Sequence, residues 1–245
     1  MTFFKMRYFG LLGDFFFRTD SIRLSGAKFY GFCALAVLGV AIIAYFLGCI
    51  NFGIILSRKK YNEDIRTKGS GNAGATNMLR TYGKGMAALT FLGDFLKGAV
   101  AAIVGILTLG LAGGFAAAFA AMVGHAFPCF YGFKGGKGVA VSAGAILAID
   151  WRVFVILIVV FVLMVCFTKF VSLGSVTAFF LFPLLVYHMT VQPIAIFTSL
   201  YTLFSLMMMG LGIYLHRSNL KRISQGCESK VSFKSKKSEA EDDDE

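Results

Sequence analysis

Long apolar runs, broken by short charged or glycine-rich stretches, set the pattern of this chain. A helix that crosses the hydrocarbon core of a bilayer needs about 20 residues, with a range of roughly 17–25. The runs at 30–56, 85–109 and 191–214 meet that length. The run at 111–127 is rich in glycine and alanine, which lets a helix pack closely on its neighbours. Residues 153–168 and 175–189 are short but strongly apolar. Residues 138–149 are shorter still, and Asp150-Trp151-Arg152 separates them from the next run in the manner of an interfacial turn. The pattern predicts an all-α integral membrane protein.

Charge placement arbitrates the number of crossings. With seven spans, the loop 57–84 (Arg58, Lys59, Lys60, Arg66, Lys68, Arg80, Lys84), the loop 128–137 (Lys134, Lys137), Lys169 and the basic tail share one face. The opposite loops then hold only Arg152. Merging 138–149 with 153–168 would throw the tail to the other side. Lysine and arginine concentrate in cytoplasmic loops, so seven transmembrane helices are expected, with the N-terminus outside and the C-terminus in the cytoplasm. Lys5, Arg7, Arg18, Arg23 and Lys28 then lie outside, against the rule, and an eighth crossing near the N-terminus is the alternative.

Composition agrees. The chain is 57% hydrophobic and 15% charged, with mean hydropathy +0.74, whereas soluble domains carry roughly 25% charged residues. The net charge of +11 sits beside apolar spans, which favours membrane orientation and phosphate binding over nucleic acid. Residues 1–28 mix phenylalanines with basic residues and read as an interfacial extension. Residues 29–228 form the membrane domain, and 229–245, lysine- and serine-rich and then acidic, read as a disordered cytoplasmic tail. Cys33, Cys49, Cys129, Cys166 and Cys227 are scattered, without metal or disulfide spacing.

Three polar segments interrupt the apolar pattern. In the first, 69–80, small residues admit close backbone approach, and Ser70, Asn72, Thr76 and Asn77 add hydrogen-bonding groups. Arg80 contributes a cationic fork suited to phosphate. Residues 69–74 spell G-x-G-x-x-G, but a dinucleotide site needs a strand before it, and none is expected here. What remains is the capacity of glycine-rich backbone, Gly71 included, to turn N–H groups towards an anion.

The second segment runs from His125 to Val139, where Lys134 and Lys137 frame Gly135 and Gly136 ahead of a helix. N–H groups at a helix start, with an ammonium beside them, make a phosphate cradle. The third is His216-Arg217-Ser218-Asn219-Leu220-Lys221-Arg222, followed by Glu228. If the last span continues as helix, His216, Asn219 and Arg222 share a face. Asp94 and Lys97, at i and i+3 inside a span, should form an ion pair, since a lone charge there is costly. Ser172 and Ser175 open a span, a position that also suits simple capping. No histidine has an acidic partner at metal-ligand spacing, so neither metal nor cofactor is expected.

Taken in order, GSGNAGATNMLRTYGKG, GHAFPCFYGFKGGKGVA, SLGS and HRSNLKRISQGCE resemble the PlsY family of bacterial acyl-phosphate:glycerol-3-phosphate acyltransferases. The match extends from about Tyr30 to Glu228, with modest departures at Ala73 and Val141. The resemblance implies a multi-pass enzyme of the bacterial inner membrane, with cytoplasmic glycine-rich loops forming the active site. It implies transfer of a fatty acyl group from acyl phosphate to the sn-1 hydroxyl of glycerol 3-phosphate, giving lysophosphatidic acid and phosphate. Family active-site positions fall on Ser70, Thr76, Asn77, Arg80, Lys137, Ser175, His216 and Asn219. Gly71, Asn72, Lys134, Gly135, Gly136, Ser172, Arg222 and Glu228 complete the expected binding surface.

Two questions stay open at this level. The hydroxyl proton is taken either by the substrate's own phosphate or by His216. A transporter of a phosphorylated metabolite is the competing function, although no internal repeat of the kind such proteins often show is visible. The His-x4-Asp spacing of acyl-CoA or acyl-carrier-protein dependent enzymes is absent, since His125, His188 and His216 precede Phe130, Pro193 and Lys221 at that distance. The expected partners are the two substrates and the bilayer, not nucleic acid; the oligomeric state is open, a monomer being compatible.

Overall fold

The computed structural model describes residues 10–11, 26–189 and 195–230, and among them there are helices and no strand. The N-terminal extension, apart from residues 10–11 and 26–28, and the tail beyond Lys230 lie outside the described residues. Helix α1 (Gly26–Cys49) is followed by α2 (Phe52–Tyr61). One continuous span was expected over 30–56; the helix instead breaks at Ile50 and Asn51. Asn51 is extended (φ −99°, ψ 100°), and its Nδ2 donates to His125 O at 3.5 Å. The Ile50 carbonyl accepts from Lys97 Nζ at 2.5 Å. The break is thus satisfied by partners far along the chain.

A short helix α3 (Ala75–Tyr82) leads into α4 (Lys84–Ala126), which doubles back on itself at Leu109 and Gly110. On a straight helix, Lys97 and His125 would stand about 40 Å apart at ~1.5 Å per residue. Their Nζ and Nδ1 atoms are 2.8 Å apart. Gly110 turns the chain at φ +65°, a conformation open to glycine at little steric cost. The two arms touch backbone to backbone, and a Cβ on Gly105 or Gly113 would strike the other's carbonyl. These arms correspond to the expected runs 85–109 and 111–127.

Next come α5 (Val139–Ile149) and α6 (Trp151–Thr168), separate as expected. Asp150 leaves the helical conformation between them and caps α6 by accepting from Arg152 N at 2.9 Å. Small residues seat α5 on the first arm of α4: Gly98 lies against Val141 O and Gly144 against Phe95 O. Helix α7 (Val171–Met189), α8 (Ala195–Leu215) and α9 (Arg217–Ser224) complete the bundle. Continuation of the last span as one helix through Arg222, which would set His216, Asn219 and Arg222 on a shared face, is not what the structure shows. That span stops at His216 (φ −96°, ψ 1°), and α9 starts anew at Arg217.

Four helical stretches among the described residues are long and apolar enough to cross a membrane: Ala34–Tyr61, Lys84–Tyr131, Trp151–Thr168 and Val171–Met189. Val139–Ile149 and Leu200–Leu215 are shorter apolar helices. Leu35, Leu38, Ile42 and Phe46 of α1, Leu92, Leu96 and Val100 of α4, and Val155, Val159 and Val162 of α6 all face outward. Charge is tucked inside instead, with Asp94, Lys97 and His125 buried. Apolar surface outside and paired charge inside is the arrangement a hydrocarbon solvent selects. The fold is that of an all-helical integral membrane protein.

Candidate active site

The polar segments converge at one end of the bundle. In the first, the Asn77 side chain organises the loop around it. Its Oδ1 accepts from Ser70 N at 2.8 Å, and its Nδ2 approaches the carbonyls of Ile65 (3.2 Å), Lys68 (3.0 Å) and Asn72 (2.9 Å). Asn72 Oδ1 accepts from Gly74 N at 2.9 Å, which shapes the entry to α3. Gly69 and Gly71 adopt positive φ within this turn. Arg80 lies exposed at the rim, its Nη2 3.4 Å from Ser229 O.

The second segment is folded back on the end of α4. Gly135 N donates to Ala126 O at 3.0 Å and Gly136 N to His125 O at 3.1 Å. Gly136 lies so close to the His125 ring that a Cβ there would overlap it. Gly138 (φ +77°) then opens α5. A single arginine ties this segment to the first. Arg66 Nη1 donates to Tyr131 O at 2.6 Å and to Lys134 O at 2.9 Å, while Nε and Nη2 reach the Asp64 carboxylate at 3.0 and 2.8 Å. Hydrogen bonding to Arg66 holds the Asp64 carboxyl well below the usual carboxylate range.

The third segment centres on Glu228. Its Oε1 accepts from Asn219 Nδ2 at 2.6 Å and from Ser172 Oγ at 3.0 Å; its Oε2 accepts from Arg222 Nε at 2.7 Å. Lys137 Nζ donates in turn to Asn219 Oδ1. Burial, helped by the nearby charges of Arg222 and Arg80, pushes the Lys137 ammonium down to about 8, with Glu228 acting in the opposite direction. Burial also takes the His216 imidazole down to about 4, so the ring is neutral at pH 7. Its Nδ1 lies 2.8 Å from Gly212 O, a carbonyl that can only accept, so Nδ1 carries the proton and Nε2 is a free acceptor.

One pocket gathers most of the expected residues. Ser70, Asn72, Thr76, Asn77 and Arg80 line it from the first segment, Lys137 from the second. Ser172 and Ser175 come from α7, and His216, Asn219 and Glu228 from the third segment. Gly71, Lys134, Gly135, Gly136 and Arg222 are not on its wall. Lys134 is exposed, Gly135 and Gly136 form the turn behind Lys137, and Arg222 anchors Glu228. Neither α7 serine caps the helix start: Ser175 Oγ donates to Val171 O and Ser172 serves Glu228.

The pocket also takes in groups that the sequence did not single out as ligand contacts. Asp94 and His125 lie on it, together with Phe91 and Phe161. A second, apolar groove runs from it between α5, α6 and α7, lined by Ile146, Phe154, Leu157 and Phe182. The two share Phe91, Val139, Phe161 and Ser175 as a common wall. No grouping of three or more His, Cys, Asp or Glu side chains suited to a metal ion occurs among the described residues.

Comparison with known proteins bears on this geometry. The sequence profile described as glycerol-3-phosphate acyltransferase matches residues 38–226. A glycerol-3-phosphate acyltransferase of Clostridioides difficile (strain 630) is 40% identical over 201 residues, covering 80% of this chain and 95% of that protein. One from Thermoanaerobacter sp. (strain X514) is 43% identical over 197 residues, covering 79% and 95%. The crystal structure of PlsY (YgiH), an integral membrane glycerol 3-phosphate acyltransferase, in its glycerol 3-phosphate form superposes with a TM-score of 0.72. It is 34% identical and covers 80% of this chain and 96% of that one. Its lysophosphatidic acid form gives 0.70 at 33% identity, covering 80% and 95%. The chain therefore belongs to the glycerol-3-phosphate acyltransferase family and is an integral membrane acyltransferase.

Proposed function

We propose that the protein transfers a fatty acyl group from acyl phosphate to the sn-1 hydroxyl of glycerol 3-phosphate, releasing inorganic phosphate and 1-acylglycerol 3-phosphate. The observation that carries this reading is that two unlike cavities lie side by side. A cation-bearing pocket holding Arg80 and Lys137 shares Phe91, Val139, Phe161 and Ser175 with a neighbouring groove of largely apolar lining. A donor with a phosphate at one end and an alkyl chain at the other fits that shape.

The two phosphates, one per substrate, face Arg80 and Lys137 on the pocket wall. Hydrogen bonds to charged groups of this kind contribute about 1.5–3 kcal/mol each. Glu228, held ionised by Asn219, Arg222 and Ser172, fixes Asn219 and through it the Lys137 ammonium. In the reaction the hydroxyl oxygen attacks the acyl carbonyl, the bond from that carbon to the phosphate oxygen breaks, and the leaving phosphate takes the hydroxyl proton. His216 Nε2, a neutral acceptor, orients the hydroxyl for attack. Ser172 and Ser175 are not set up as nucleophiles, because they give their hydroxyls to Glu228 and Val171 rather than to His216.

Counting the two arms of α4 separately, the helices make seven crossings, with the pocket and C-terminus cytoplasmic in the bacterial inner membrane. The clustering of Arg58, Lys59, Lys60, Lys84, Lys169 and Lys221 at the pocket end supports that orientation. The test is donor dependence. Purified protein should release phosphate from palmitoyl phosphate only when glycerol 3-phosphate is present. Turnover of palmitoyl-CoA with none of palmitoyl phosphate would overturn the donor assignment. A transporter would instead move a labelled phosphorylated metabolite across sealed vesicles without acylating it.

A further inference from the structure

Beneath the glycine turn of the second segment lies a buried cluster with no part in the mechanism above. Lys97 Nζ meets three groups: Ile50 O at 2.5 Å, Asp94 Oδ1 at 2.7 Å and His125 Nδ1 at 2.8 Å. An ammonium has three N–H donors and no acceptor. A protonated Nδ1 cannot sit 2.8 Å from it without two hydrogens colliding. Nδ1 of His125 must then be the acceptor, and the proton of the neutral ring sits on Nε2. Asp94 Oδ1, 2.7 Å from Lys97 Nζ and 3.5 Å from His125 Nδ1, completes the cluster as an ion pair inside the span.

The ring is held in place at the edge of the pocket. Backbone on both sides clamps His125: its carbonyl takes Gly136 N and Asn51 Nδ2. The ring edge bearing Nε2 lies directly against Gly136, in the position where any side chain on that residue would stand. Asp94 and His125 both reach the pocket that holds Lys137. No protein group receives the Nε2 proton among the hydrogen bonds of the described residues. An N–H donor fixed in orientation, unspent, and carried by a residue on the wall of the pocket that holds Lys137 is a preorganised phosphate contact.

We infer that Lys97 locks His125 as the Nε2–H tautomer and that this N–H is a further donor to the substrate phosphate that Lys137 holds in the pocket. The inference rests on the phosphate-binding reading of this pocket. It also makes the two pocket histidines opposites: His216 presents a bare Nε2 to accept from the hydroxyl, and His125 presents Nε2–H to donate to the anion. Asp94 and Lys97 act through His125 as positioning residues.

The ring nitrogens report directly. With 15N-labelled histidine, the full-length protein has three imidazoles, His125, His188 and His216, and His188→Asn and His216→Asn assign the remaining signals. Expected at neutral pH is a His125 ring protonated at Nε2 alone, whose Nε2 resonance moves on titration with inorganic phosphate or glycerol 3-phosphate. A ring protonated at Nδ1, a doubly protonated ring, or an Nε2 signal indifferent to both anions overturns the inference. In kinetics, His125→Asn keeps an acceptor for Lys97 but loses the distal donor, raising KM for a phosphate-bearing substrate by at least about tenfold. His125→Gln restores an N–H at the Nε2 position and recovers most of that loss; equal damage in both variants counts against a donor role. A protein that shows the tautomer and the anion response but fails to use acyl phosphate would overturn the proposed reaction and leave this site standing.

Discussion

Lys137 is the residue on which pH dependence should turn. Its pKa is lowered to about 8, chiefly by burial, so the ammonium that faces phosphate is present below that pH and lost above it. kcat/KM is expected to fall on the alkaline side of about pH 8, while His216, already neutral above about 4, contributes nothing to that limb. Glu228 raises the Lys137 pKa, so Glu228→Gln should move the limb to lower pH, and Lys137→Arg should abolish it. A profile unchanged in both variants would remove Lys137 from the phosphate site. Gly136 gives a steric counterpart. A methyl there meets the His125 ring, so Gly136→Ala should lower kcat/KM by at least about tenfold, or ~1.4 kcal/mol, with little change in expression.

Between elements, Arg66 is the device that holds two phosphate-facing loops in register. One guanidinium reaches Asp64, Tyr131 O and Lys134 O together, a fork that a lysine point charge cannot reproduce. Arg66→Ala leaves those carbonyls without their donor, at about 1–3 kcal/mol for each one that stays buried. Backbone hydrogen exchange across 128–137 should then quicken, with activity reduced, and Arg66→Lys should rescue neither. Unchanged exchange in that loop would refute the clamp. Nothing in the sequence set Arg66 apart from Arg58 or Lys68 in the same basic loop, because its partners lie more than sixty positions away. Asn77 differs: its place in a glycine-rich segment made it conspicuous, yet its amide is occupied with the Ser70, Ile65, Lys68 and Asn72 backbone.

For the whole molecule, the consequence is a division of labour between the polar pocket and the apolar groove. Ala143 and Ala178 leave room in that groove between the larger Phe154, Leu157 and Phe182. Ala178→Phe should fill it, so turnover of palmitoyl phosphate drops steeply while butyryl phosphate is still used. Equal loss with both donors would show that the acyl chain lies elsewhere. The bundle achieves this division by turning its apolar side chains outward and keeping Asp94, Lys97 and His125 within. An apolar solvent leaves little reason to bury leucine and a strong reason to bury and pair charge.

From the amino-acid order alone came the helices, the doubling back after Leu109, the turn at Asp150, and the three polar segments with most of their pocket-lining residues. All of these rest on local signals: lengths of apolar runs, small polar residues between them, a charged interfacial turn, and charge beside a span. Tertiary structure decided the breaks at Asn51 and His216, the Arg66 clamp, and the arrival of Asp94 and His125 at the pocket. The Asn51 break and the Arg66 clamp each depend on a hydrogen-bonding partner brought near only by packing. Ile50 can leave its helix because Lys97 takes the freed carbonyl. Local pattern states which backbone groups need partners, and only the folded bundle states which distant side chain satisfies them.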